Sequence, residues 1–142
     1  MNNKILYESI HDIDNLDLLL NKIKSLIFNK DIVVLLRGDL ASGKTTLVKQ
    51  YVKSLGLNDE VRSPTFSIQS IYSSNIYHYD MYNKTLNEFI SLGLLEEFEK
   101  HGTHFVEWGD DKLKDILKEY GFQHISISIN KKQNKREYKI ES

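Results

Sequence analysis

The sequence predicts one α/β layered domain over residues 1–142, and three features point to it. Strand-like and helix-like patterns alternate along the chain, as in domains where helices cover a sheet. The run Ile32-Val33-Val34-Leu35-Leu36 is apolar throughout and rich in β-branched residues, the pattern of a strand covered on both faces in a parallel sheet. A length of 142 residues with 40% hydrophobic content supplies one packed core, and a second domain would have to be very small.

The elements follow in order. Lys4 to Ser9 is short and β-compatible. From Asp14, the residues Leu16, Leu19, Leu20, Ile23, Leu26 and Ile27 recur at three- and four-residue steps, which predicts a helix with one apolar face. Asp12 or Asp14 is the expected cap. After the apolar run and a glycine-bearing turn, Leu47, Val48, Tyr51, Val52 and Leu55 mark a second helix, ended by Gly56 at the left-handed C′ position. Phe66 to Tyr72 and Ile76 to Asp80 read as paired strands joined around Ser73-Ser74-Asn75. Leu86 to Lys100 reads as helix broken at Gly93, His104 to Trp108 as strand, and Asp111 to Tyr120 as a short helix. Ile125, Ile127 and Ile129 alternate with Ser126, Ser128 and Asn130, a half-buried strand. A polar loop from Lys131 to Lys135 then leads to a last strand near Glu137 to Glu141.

Composition excludes several classes of function. There is no cysteine, hence no disulfide, thiol nucleophile or Cys-ligated metal. Lys plus Arg number 19 against 20 Asp plus Glu, so net charge makes no general case for nucleic-acid binding. No apolar run approaches the roughly 20 residues that span a bilayer. Met1 to Tyr7 lacks the charged-then-apolar layout of a secretory leader, so a cytoplasmic protein without membrane association is expected.

The chemistry is concentrated at Gly38-Asp39-Leu40-Ala41-Ser42-Gly43-Lys44-Thr45, which fits G-x-x-x-x-G-K-[ST]. A loop of this length turns successive backbone N–H groups onto a phosphate, and its glycines allow geometry and close approach that a Cβ would obstruct. The helix that follows sets its partial positive end against the anion. Lys44 adds a full charge at the β- and γ-phosphates, and Thr45 offers a hydroxyl to Mg²⁺. At average residue frequencies, a chance match in this length arises on the order of half a percent of the time. The motif also follows the best buried strand and opens an amphipathic helix, as its mechanism requires.

Three kinds of phosphate-loop protein compete. A small GTPase needs N-K-x-D and D-x-x-G, and neither occurs. A small-molecule kinase closes an arginine-bearing lid over the transferred group. Arg37, Arg62 and Arg136 are the only arginines, and Arg37 already sits beside the loop. A minimal NTPase acting as a switch on a partner fits better, whether it hydrolyses or only gates binding. Ser63-Pro64-Thr65-Phe66 holds the only proline, which stiffens hydroxyls that can meet a γ-phosphate or metal. Asp80 and Glu107 each end a strand, where ligands of open α/β sheets sit. Either acid taken alone is more often a solvated strand-end carboxylate. Trp108 is open between a partner anchor and core packing, and Arg62 between site charge and solvated surface. Lys131 to Arg136 is the one basic run, a hairpin loop or a contact for nucleic-acid phosphates or a partner.

The combination resembles the TsaE (YjeE) family. The motifs that carry the resemblance run from about Leu36 to Asp110. They are the loop through Thr46, Ser63-Pro64-Thr65-Phe66, His78-Tyr79-Asp80-Met81-Tyr82, Leu92-Gly93-Leu94-Leu95-Glu96-Glu97 and Glu107-Trp108, in that order. The resemblance implies a P-loop NTPase fold: three layers, a mixed and mostly parallel central sheet with flanking helices, and a C-terminal hairpin. It implies an ATPase, slow alone and activated by partners, that uses ATP and Mg²⁺. Such an ATPase supports the TsaD–TsaB complex in forming N6-threonylcarbamoyladenosine at position 37 of tRNAs reading ANN codons, with tRNA met indirectly or within the assembly. Thr45 and Glu107 correspond to the Mg²⁺ ligands, and Asp80 to the acid needed for hydrolysis, with Lys44 on the phosphates. Ser63 and Thr65 belong to a switch-like segment, and His11 and Asn130 to regions flanking the adenine. Two positions depart from the pattern. Ala41 stands where the family commonly has Gly, which the loop tolerates if φ there is negative. Asn83 stands where it commonly has Arg.

Overall fold

The computed structural model describes residues 4–64 and 69–142. The chain runs β1 (Ile5–Asp12), α1 (Asp17–Ile27), β2 (Ile32–Arg37), α2 (Lys44–Ser54), β3 (Gln69–Tyr72) and β4 (Ile76–Asp80). It continues through α3 (Leu86–Ser91), α4 (Leu94–Phe98), β5 (Thr103–Glu107), α5 (Asp111–Glu119), β6 (His124–Lys132) and β7 (Lys135–Glu141). The strands form one sheet in the order β1-β7-β6-β2-β5-β4-β3. Its centre, β6-β2-β5-β4, is parallel, while β3, β7 and β1 each pair antiparallel with their neighbours.

The apolar run is covered on both faces because β2 lies in the middle. Alternation then divides its residues between two cores. Ile32, Val34 and Leu36 pack with α1, α2 and the inner face of the β6–β7 hairpin. Val33 and Leu35 pack on the other side with Phe89, Leu94, Phe98, Leu113 and Leu117 from α3, α4 and α5. The result is three layers, helix–sheet–helix. Among the described residues, no helix is long and apolar enough to cross a membrane.

Several elements differ from the sequence expectation. The first strand runs on to Asp12, because each residue from Tyr7 onward finds a partner on β7, ending with Asp12 opposite Lys135. Asp12 is thus spent in the sheet, and α1 starts at Asp17 with Leu16 at the N-cap and no side-chain cap bond. Neither Asp12 nor Asp14 caps the helix as expected. The polar loop at Lys131 to Lys135 shrinks to a turn at Gln133-Asn134, Gln133 having φ +56°. Lys131 and Lys132 are strand residues opposite Arg136 and Lys135. Ser126 is buried, so β6 is covered on both faces over its first half and not half-buried. Phe66 to Ile68, the start of the expected third strand, lie outside the described residues. The other boundaries match to within a residue or two. Gly56 takes φ +79° just beyond α2, and Gly93, at φ +95°, separates α3 from α4.

Candidate active site

The glycine-bearing loop leaves the carboxyl end of β2 and closes on the first turn of α2. Its backbone takes positive φ at Gly38 (155°), Ala41 (59°) and Gly43 (112°). A Cβ on Gly38 would lie 2.5 Å from Ser42 Oγ and 2.6 Å from the Ile129 carbonyl oxygen, so no side chain fits there. Ala41 does not meet the condition of a negative φ. It holds the left-handed conformation at a cost of about 1–2 kcal/mol for an L-residue. Its side chain is exposed, so nothing packs against the methyl to offset that cost.

Lys44 is only 4% exposed and folds back on its own loop. Its Nζ donates to the carbonyl oxygens of Gly38 at 2.7 Å and Asp39 at 3.0 Å. The ammonium also lies 4.0 Å from the centroid of the Trp108 ring, a cation–π distance. Burial pushes the Lys44 pKa below its ordinary value, while the carboxylates of Glu107, Asp80 and Asp39 pull it back up. Trp108 is half-buried. It packs against the second core, meets Tyr82 in a tilted ring pair at 4.8 Å and lines the cleft.

The two strand-end acids come together through register. Strands β4 and β5 are parallel with Asp80 opposite Glu107, and Glu107 is in turn opposite Leu36 of β2. Both carboxylates therefore end adjacent strands at one height, beside the point where the loop begins. Thr45 Oγ1 donates to Glu107 Oε2 at 2.7 Å. Asp80 Oδ2 accepts from Ser63 Oγ at 3.0 Å, and Oδ1 from the Tyr82 backbone N–H at 3.0 Å. Ser63 is thereby tied to the acid. A cleft of about 560 Å³ opens above these groups, lined by Leu40 to Thr46, Ser63, Asp80, Glu107 and Trp108 among others.

A hydroxyl and two carboxylates are hard oxygen donors, the set that suits Mg²⁺. Among the described residues, no group of three or more His, Cys, Asp and Glu forms a full cage.

Other expected residues stand elsewhere. Thr65 lies outside the described residues. His11 sits on β1 opposite Arg136, with Nε2 2.6 Å from Ser9 Oγ and its ring beside those of Tyr7 and Tyr138. Asn130 is exposed on β6 opposite Glu137. Neither lines the cleft, although Ile13, just past the end of β1, does. Arg37 turns away from the loop, donating to the Gly109 carbonyl and to Asp111. Arg62 pairs with Glu60 on the surface. His101 and His104, which no expectation placed in the site, bond to Asp31 and to Tyr79 with the Lys100 carbonyl.

Two contacts escaped the sequence. Arg136, in the basic run, donates from Nε to the Ser42 carbonyl at 3.0 Å and braces the loop from the hairpin. His78 is fully buried, with Nε2 2.5 Å from Glu107 Oε2 and Nδ1 2.8 Å from the Tyr72 hydroxyl. A signal for His78 was present, since period-two spacing puts it on the same face of β4 as Asp80.

A family model described as "Threonylcarbamoyl adenosine biosynthesis protein TsaE" matches residues 10–138. The chain belongs to the TsaE family. Two of its relatives carry the name tRNA threonylcarbamoyladenosine biosynthesis protein TsaE. The one from Treponema pallidum is 37% identical over 100 residues, covering 68% of this chain and 71% of its own. The one from Bacillus subtilis is 34% identical over 116 residues, covering 74% and 73%. The crystal structure of YdiB from Bacillus subtilis superposes with a TM-score of 0.71 at 25% identity, covering 100% of this chain and 88% of that one. The TsaE match at residues 10–138 takes in both strand-end acids, the phosphate loop, and the β1 and β7 residues whose pairing sets His11 opposite Arg136.

Proposed function

We propose that this protein is a magnesium-dependent ATPase that serves a TsaD–TsaB complex in forming N6-threonylcarbamoyladenosine at position 37 of tRNAs reading ANN codons. The observation that carries the reading is the convergence of the phosphate loop, Thr45, Asp80 and Glu107 on one cleft. Family membership supports the placement in tRNA modification.

In this mechanism the loop amides and the N-terminus of α2 bind the triphosphate. Lys44 exchanges the Gly38 and Asp39 carbonyls for phosphate oxygens, a swap that needs only a side-chain motion. Thr45 and Glu107 would hold Mg²⁺, which would supply Lewis-acid neutralisation of the phosphoryl charge. Asp80 anchors Ser63 and Tyr82 and orients the attacking water beside the metal site. None of the arginines lines the cleft among the described residues, so the protein lacks a guanidinium for the transition state. An arginine finger is worth roughly 10³ to 10⁵ in rate, so the isolated chain turns over slowly and the partner completes or organises the site.

Calorimetric titration with ATP in Mg²⁺ tests the binding half of this proposal. Phosphate contacts from a charged group are worth about 1.5–3 kcal/mol, so Lys44→Ala should raise Kd by roughly 10- to 100-fold. Equal affinity in the variant would remove Lys44 from the phosphates.

A further inference from the structure

Glu107 is gripped from behind by a group that no expected site residue accounts for. His78 is 0% exposed and Glu107 4%, so neither side chain can look to bulk water for partners. An ionised carboxylate only accepts hydrogen bonds, so the 2.5 Å contact assigns the Nε2 proton to His78. The Tyr72 hydroxyl holds the other ring nitrogen, Nδ1, at 2.8 Å. Tyr72 ends β3, His78 lies on β4, Glu107 ends β5 and Thr45 opens α2. A single line of hydrogen bonds thus ties the edge of the sheet to the first turn of the phosphate-loop helix, and it meets at one oxygen, Glu107 Oε2.

We propose that His78 is a positioning residue for the metal site, fixing the Glu107 carboxylate against Thr45 so that both are preset for Mg²⁺, with Tyr72 fixing the imidazole in turn. The inference rests on the MgATP reading above and adds to it the residue that orients the ligand. Partners behind a metal ligand typically contribute 10–100-fold to metal affinity, because they remove the ligand's rotational freedom. A purely structural imidazole would instead affect melting and leave the metal requirement alone.

The test uses the full chain and a fluorescent ATP analogue, titrated with Mg²⁺ and, separately, bound in EDTA. His78→Phe keeps the ring volume and removes both nitrogens. It should raise the Mg²⁺ concentration for half-maximal binding by about 10-fold or more, while metal-free affinity stays within about 2-fold. His78→Gln offers an amide N–H in place of Nε2 and should recover most of the loss. Tyr72→Phe, which keeps the ring, should show a smaller shift of about 2- to 5-fold. If His78→Phe does not fold, the Gln and Tyr72→Phe proteins carry the comparison. Wild-type Mg²⁺ dependence in His78→Phe, or in Tyr72→Phe where that variant decides, would overturn the positioning role while leaving MgATP binding intact. Failure of the wild-type protein to bind the analogue at all would overturn the ATPase reading itself.

Discussion

Among the described residues, six other than glycine take positive φ, and Ala41 is the one of them that lies in the phosphate loop. It holds φ +59° in the phosphate loop with its methyl in solvent. An L-residue there costs about 1–2 kcal/mol relative to the right-handed region. Ala41→Gly removes that cost, and the greater freedom of glycine in the unfolded chain takes back about 0.4–1 kcal/mol. The net is a gain of about 0.5–1 kcal/mol. Unfolding entropy for 142 residues is about 0.3 kcal/mol per kelvin, so Tm should rise by about 2–3 °C. Ala41→Val makes the opposite case, because a β-branched side chain is far less tolerant of positive φ and should lower Tm. Differential scanning calorimetry reads both. An Ala41→Gly protein that melts at or below wild type, with Val tolerated, would refute the left-handed assignment and with it the stated path of the loop.

Glu107→Ala should act twice. It strands the Thr45 hydroxyl and the His78 N–H, costing about 1–3 kcal/mol of stability for each, and it should lower Mg²⁺-dependent turnover by at least about 10-fold. A lower Tm with full turnover would make the carboxylate purely structural. Asp80→Asn keeps the shape and an acceptor oxygen for the Tyr82 N–H, and its amide can donate to the Ser63 hydroxyl in place of accepting from it, so stability should move little while turnover falls. Unchanged turnover would leave Asp80 only its tie to Ser63 and Tyr82. Burial holds the His104 pKa below its ordinary value, so the folded state prefers the neutral ring. The unfolded chain therefore takes up a proton first, and stability should fall as pH drops below about 6.5, toward the lower folded value. Denaturant midpoints from pH 7 to 5 should decline less steeply in His104→Gln, and an equal slope would show that His104 is not the group responsible.

What the sequence displayed and what it hid follow from where each residue sits. The β2–loop–α2 unit was legible because Ile32 to Leu36 is buried on both faces and the loop carries the G-x-x-x-x-G-K-[ST] spacing. The strand-end acids were legible as candidates because a parallel sheet brings strand ends to one edge. The second half of β1 was not, because an edge strand half in solvent carries little hydrophobic contrast, and its partner β7 is distant in the chain. The same weakness hid Lys131 and Lys132, strand residues that are polar because the hairpin tip is exposed. The positive φ at Ala41 left no trace, since alanine carries no mark of the left-handed region. His78 was overlooked although its spacing from Asp80 puts both on one face of β4, because nothing in the sequence names its partners, 29 and 6 residues away.

Hydrolysis of ATP by the purified protein, alone and then with TsaD, TsaB and tRNA, tests the central claim most directly, with Lys44→Ala as control. Slow turnover alone, a large rise on adding the partners, and no rise in the Lys44→Ala protein are the expected results. Fast turnover by the isolated chain, or no response to the partners, would contradict a site that lacks its own arginine and waits for another protein to complete it.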